Sequence, residues 1–81
     1  MSMKAVLCMR IQEGEEAIKA FELNPREWRI LSISAGAQIR QRYERCVIIG
    51  DPQRRMDAND WRRFDEMTAH LAAQRCAIYR L

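Results

Sequence analysis

Apolar residues along this chain gather in four short runs, and between the runs the pattern changes to a three- and four-residue step. The first run, Met3 to Ile11, is apolar nearly throughout and predicts a strand. Glu13-Gly14-Glu15-Glu16 then opens a helix, its acids placed where the positive end of the helix dipole favours them. Ala17, Ile18, Ala20 and Phe21 give that helix its apolar face, and Asn24-Pro25 ends it, because a residue before proline avoids helical angles. Trp28 to Ser34 predicts the second strand, and Ser34-Ala35-Gly36 a turn. Ala37 to Tyr43 reads as a short helix or helical turn burying Ile39 and Tyr43.

Cys46 to Gly50 predicts the third strand, stopped abruptly by Gly50, Asp51 and Pro52. A polar loop follows to Met56. Asp57 is placed to cap the last helix, with Asp60 three residues on completing a capping box in which aspartate replaces glutamate. Trp61, Phe64, Met67, Thr68, Leu71 and Ala72 form one stripe along it. Cys76 to Leu81 predicts a fourth strand.

Runs apolar on both faces belong to parallel sheets covered by helices. The alternation therefore predicts an α/β protein: a small, doubly wound, mainly parallel four-stranded sheet with two long helices and one short helix. Residues 1–81 are expected to form a single domain; the pattern does not fix the strand order, for which 2-1-3-4 is the first guess. The alternative for the first strand is antiparallel pairing at an edge.

Composition narrows the function classes. Hydrophobic residues make up 48% and charged residues 31% of the chain, which suits a packed core and argues against disorder. No apolar run approaches the roughly 20 residues of a membrane span, and Met1 to Ile11 is too short for a signal-peptide core. A cytoplasmic protein is expected. The three cysteines lie among aliphatic neighbours without CxxC spacing, so they read as reduced, buried thiols. With His70 the only histidine, zinc is not expected, and no metal or other cofactor is.

Charge is uneven. Residues 1–27 carry net −1 and residues 28–81 net +4, and twelve of the fourteen basic residues are arginine. Arginine suits bidentate contacts to carboxylate or phosphate, so the bias hints at an interaction surface, and a high-GC genome would give the same bias.

In a doubly wound sheet, ligands bind beyond the carboxyl ends of the strands. That rim gathers Gln12 and Glu13, Ser32 and Ser34, and Asp51 with Arg54 and Arg55. A phosphate cradle, however, needs successive backbone amides and usually a lysine. The chain has neither GxxxxGK[ST] nor GxGxxG, and only three glycines in all. Asp51 thus reads first as a turn residue. No catalytic residue is assigned, and the protein is not expected to be an enzyme.

Trp61 reads as core. Trp28, flanked by Arg26 and Arg29, is placed either to pack at the sheet's rim or to anchor an interface, since tryptophan and arginine are enriched at binding hot spots. The expected interaction surface comprises Trp28, the arginines around the middle helix (Arg40, Arg42 and Arg45), and Asp51, Arg54 and Arg55 beyond the third strand.

The segment from Trp28-Arg29 through Arg42-Tyr43-Glu44-Arg45-Cys46-Val47-Ile48-Ile49-Gly50-Asp51 resembles small uncharacterised α/β proteins of tailed phages and prophages. Those look like P-loop-type sheets that keep the acidic strand and lack the phosphate loop. The resemblance implies a phage accessory role, with no catalytic residues to carry over. The leading expectation is a non-enzymatic protein that binds and modulates a host or phage protein. Alternatives are a nucleic-acid-binding module using the arginine-rich face and a small nucleotide- or metal-dependent enzyme centred on Asp51. A homodimer is a further expectation, because so small a sheet leaves open edges.

Overall fold

Four strands and two helices make up residues 3–81, the part of the chain that the computed structural model describes. They are β1 (Met3–Cys8), α1 (Ile11–Ala20), β2 (Trp28–Ser32), β3 (Tyr43–Ile48), α2 (Ala58–Ala73) and β4 (Ala77–Arg80), with a 3₁₀ turn at Pro52–Arg54. The sheet order is β2-β1-β3-β4, and every neighbouring pair is parallel. β1 therefore lies inside the sheet, not antiparallel at an edge. Its last four residues, Ala5 to Cys8, are all buried, as a strand covered on both faces requires.

The order dictates where the helices go. The chain steps one way from β1 to β2 and the other way from β2 to β3 and on to β4. Right-handed connections then put α1 on one face and α2 on the other. The α2 face holds the main core, in which Leu7, Leu31 and Ile48 of the sheet pack with Phe64, Met67 and Leu71 of the helix. Leu7 and Leu71 are fully buried, each contributing about 1.5–3 kcal/mol over an exposed side chain. On the other face α1 lies over β1 and β2.

α1 approaches the sheet at Gly14, where a Cβ would lie 2.5 Å from Ile30 Cγ2 and 3.2 Å from Cys8 Sγ. Glycine is needed there for space. β1 stops at Cys8, short of the expected Ile11, because Arg10 already caps α1 and its N–H donates to the Glu13 carboxylate at 2.9 Å.

The expected helix over Ala37 to Tyr43 is absent; residues 33–36 turn and residues 37–40 are irregular. Distance explains it. Residues 33–42 must return from the carboxyl end of β2 to the amino end of β3, passing β1 on the way. That is roughly 20 Å along the strands and about 10 Å across them. Ten helical residues rise only about 15 Å, whereas an extended chain covers about 33 Å. The Arg63 guanidinium holds the segment by donating to the carbonyls of Ile33 and Ser34, at 3.5 and 3.4 Å. Gln74 bridges its far end, accepting from Tyr43 N–H at 3.1 Å and donating to the Gln41 carbonyl at 3.0 Å.

β3 accordingly begins at Tyr43, three residues before the expected Cys46. Between Met3↔Tyr43 and Lys4↔Arg45 the register shifts, with Glu44 the extra residue on β3. That bulge returns Tyr43 to the same buried cluster as Cys46.

Trp61 is a second correction: it is 40% exposed, not core. The buried stripe of α2 runs Asp60, Phe64, Met67 and Leu71, and Trp61 stands beside it, its ring edge-on to Phe64 at 5.9 Å. The expected cap is present, with Asp57 accepting from Asp60 N–H at 2.9 Å and Asp60 accepting from Asp57 N–H at 3.3 Å.

Candidate functional site

At the carboxyl rim, the connections leaving β1 and β3 depart to opposite faces, which in nucleotide-binding sheets opens a crevice for phosphate. Here the crevice is bridged by the chain itself. Arg55, just past the 3₁₀ turn, donates through Nη2 to Glu13 Oε1 at 2.5 Å. The Glu13 carboxylate thus occupies the first turn of α1, where a bound anion would meet free backbone amides. Gly50 lies directly beneath the pair: a Cβ on it would sit 3.4 Å from Glu13 Oε1, and its φ of +73° is one that side chains disfavour.

The other rim residues are also engaged. Asp51 adopts left-handed angles (φ +46°) and pairs with Arg54 at 2.9 Å, so it turns the chain as its Gly-Asp-Pro setting implies. Ser32 Oγ donates to the Met9 carbonyl at 3.1 Å and lies 3.2 Å from Ser34 Oγ, tying the ends of β1 and β2 together. Gln12 is exposed. Cys8, Cys46 and Cys76 are free and buried. Burial pushes the Cys8 thiol up to about 11 and the Cys46 thiol up to about 12, and raises Cys76 as well, so none is a ready nucleophile at neutral pH. His70 is exposed on α2.

The expected interaction residues do not form one patch. Asp51, Arg54 and Arg55 lie at the carboxyl rim. Arg40 and Arg42 sit on the irregular connection near the amino ends, with Arg40 bonded to the Gln38 side chain at 2.8 Å. Arg45 belongs to β3 and shares a face with Lys4 and Trp28, its neighbours across the sheet. Trp28 is half-buried there, with Lys4 Nζ 5.8 Å from its ring.

The same face carries a feature absent from the sequence-level reading. Among the described residues α1 packs mainly on β1 and β2, and only its flank reaches β3 and β4. Val47 and Ile49 are half-buried, while Tyr79, paired with Val47, is 52% exposed and Leu81 is 73% exposed. Along α1, Glu13, Glu16, Ala17, Ala20 and Phe21 form the wall of this trough. At its deeper part, Phe21, Leu23 and Trp28 join Val6, Val47 and Ile49 around a wholly apolar hollow of about 230 Å³. Phe21, expected to face the core, is instead 57% exposed. The signal that reveals the trough is topological. In a 2-1-3-4 order with three crossovers only one connection uses the α1 face, and a single helix cannot cover four strands.

Among the described residues, no group of three or more His, Cys, Asp or Glu side chains is placed to hold a metal ion, and no helix is long and apolar enough to cross a membrane. Fold and site together define a small doubly wound parallel α/β protein with a half-open sheet. Comparison with protein-family models, with curated proteins and with solved structures returns no match.

Proposed function

We propose that this chain is a non-enzymatic interaction module that docks on another protein and modulates it, an accessory role of the phage type exercised in the host cytoplasm. The observation that carries the reading is the open apolar trough over β3 and β4. Contiguous apolar surface bordered by charged residues is the usual mark of a protein-binding site. The rim supports it as well, since its acid, arginine and serine side chains are spent on one another. The division of the arginines between the two ends of the sheet favours a protein partner over nucleic acid, which asks for a continuous basic groove.

Affinity capture from the native source tests this. A partner held by the wild-type chain is expected to be lost with the pair Ile49→Asp and Leu81→Asp, while circular dichroism stays unchanged. A second variant, with Arg40, Arg42, Arg54 and Arg55 changed to Glu, reports whether the arginines contribute. Retention of the partner by both variants overturns the proposal.

A further inference from the structure

We infer that the trough seats a single amphipathic helix of the partner protein, running opposite to the strands as α1 does. The inference rests on reading the chain as an interaction module, and it specifies the partner's chemistry. Three observations lead to it.

The first is width. Among the described residues the part of the sheet that α1 does not lie over is two strands, β3 and β4, or about 10 Å across. One helix with its side chains is about 10–12 Å in diameter. A strand added along β4 would lengthen the sheet and leave this surface open, whereas a helix laid beside α1 closes it.

The second is the character of the wall and floor. Ala17 and Ala20 are the residues α1 turns toward the trough between Glu16 and Phe21, and small side chains let a second helix approach closely. The apolar hollow beside Phe21 and Trp28 is placed to take one large anchoring side chain of that helix. α1 itself, ten residues long, sets the length of helix that fits at about three turns.

The third is charge, and it sets the direction. Glu16 flanks the trough toward the carboxyl ends of the strands, near Ile49 and Gly50. Arg45 marks the amino end on the same face, two residues before Val47. Among the described residues neither takes part in an ion pair. The neighbouring charges cancel in pairs, Glu13 with Arg55 and Lys4 with Glu27, so Glu16 and Arg45 set the polarity of the trough. A helix carries partial positive charge at its amino end and partial negative charge at its carboxyl end. Laid antiparallel to the strands, it puts its amino end by Glu16 and its carboxyl end by Arg45. The reverse orientation sets like charges together at both ends.

The test uses the full chain with Trp61→Phe, which leaves Trp28 as the sole tryptophan. Two side-chain-stapled, end-blocked peptides of about 14 residues serve as probes, each with a leucine stripe at helical spacing. One carries lysines in its first turn and glutamates in its last; the other has these reversed. The first is expected to shift Trp28 emission to the blue and to bind about tenfold more tightly than the second. A quencher on the first peptide's carboxyl end is expected to quench Trp28, which lies toward the amino ends of the strands, more than one on its amino end. In the variant with Glu16→Lys and Arg45→Glu the peptide turns round, and that order is expected to invert.

Equal binding of both peptides, equal quenching from both peptide ends, or a quenching order unchanged in the variant overturns the inferred orientation. No Trp28 response overturns the helix as occupant; if capture of a native partner is still abolished by the Ile49 and Leu81 substitutions, the interaction-module reading survives that loss. Sedimentation showing a dimer that Ile49→Asp dissociates makes a second copy the occupant and also overturns the inference.

Discussion

Glu13 and Arg55, forty-two residues apart in sequence, meet at 2.5 Å over Gly50 and close the gap between the carboxyl ends of β1 and β3. In one contact the chain joins its two face-changing connections and fills the position where related architectures hold phosphate. The two partners are not equivalent. Glu13 also accepts from the Arg10 N–H, whereas Arg55 is 44% exposed and its remaining contact is a 3.5 Å approach to the Gly50 carbonyl. Glu13→Ala is expected to cost about 1–2 kcal/mol, since it removes both a helix cap and an ion pair. Arg55→Ala is expected to cost less than about 1 kcal/mol. Urea denaturation of the two single variants and the double variant checks the difference, and equal costs would mean that the cap contributes nothing.

Gly14 tests how closely α1 is set upon the sheet. Alanine gains about 1 kcal/mol of helix propensity over glycine. Its Cβ, however, would lie 2.5 Å from Ile30 Cγ2, and Ile30 must shift to admit it. Overpacking of that kind costs about 1–3 kcal/mol, so Gly14→Ala is expected to be destabilising despite its better propensity. Thermal unfolding decides the sign.

The cysteines make stability depend on alkaline pH. Relative to the ordinary thiol value of 9.0, burial raises Cys8 to about 11 and Cys46 to about 12. Between pH 9 and 11 the unfolded thiols ionise while these folded ones keep their protons. The folded chain then binds more protons than the unfolded one, and stability falls as pH rises. Below pH 9 their contribution is fully present. The expected loss is roughly 1 kcal/mol per pH unit for each thiol across that window. Cys46→Ala should flatten the slope by one thiol's share, and chemical denaturation repeated at pH 8, 9 and 10 checks it. A native-state thiol reagent is expected to label the wild-type chain slowly at pH 8.

Two large residues on α2 separate burial from pattern. Leu71 is fully buried, and Leu71→Ala is expected to cost about 2–5 kcal/mol. Trp61 is 40% exposed and keeps one edge-on contact with Phe64, so Trp61→Ala is expected to cost about 1 kcal/mol. Denaturant midpoints of the two variants provide the comparison.

The sequence by itself determined the elements whose causes are local. Four apolar runs became four parallel strands, β1 buried along its last four residues and β4 exposed yet still largely apolar, whereas their order was a first guess that periodicity did not fix. The Asp57–Asp60 capping box and the turn at Gly50-Asp51-Pro52 were legible for the same reason: a cap or a turn is completed by residues a few positions apart. So was the burial of the three cysteines among aliphatic neighbours. At the rim, Glu13, Asp51, Arg54 and Arg55 were legible as a group, although their pairing was not.

Tertiary structure decided whatever depends on distance across the sheet. The Ala37–Tyr43 stretch has helical spacing at Ile39 and Tyr43, yet ten residues must cross a strand and return along it, and only extended chain reaches. Trp61 matches the stripe of α2 by count, but which stripe faces inward is set by how the helix seats on Leu7 and Ile48. The trough follows from the same geometry. Whether Phe21, Val47 and Leu81 are covered depends on which face each connection takes, and periodicity along one segment carries no information about its neighbours.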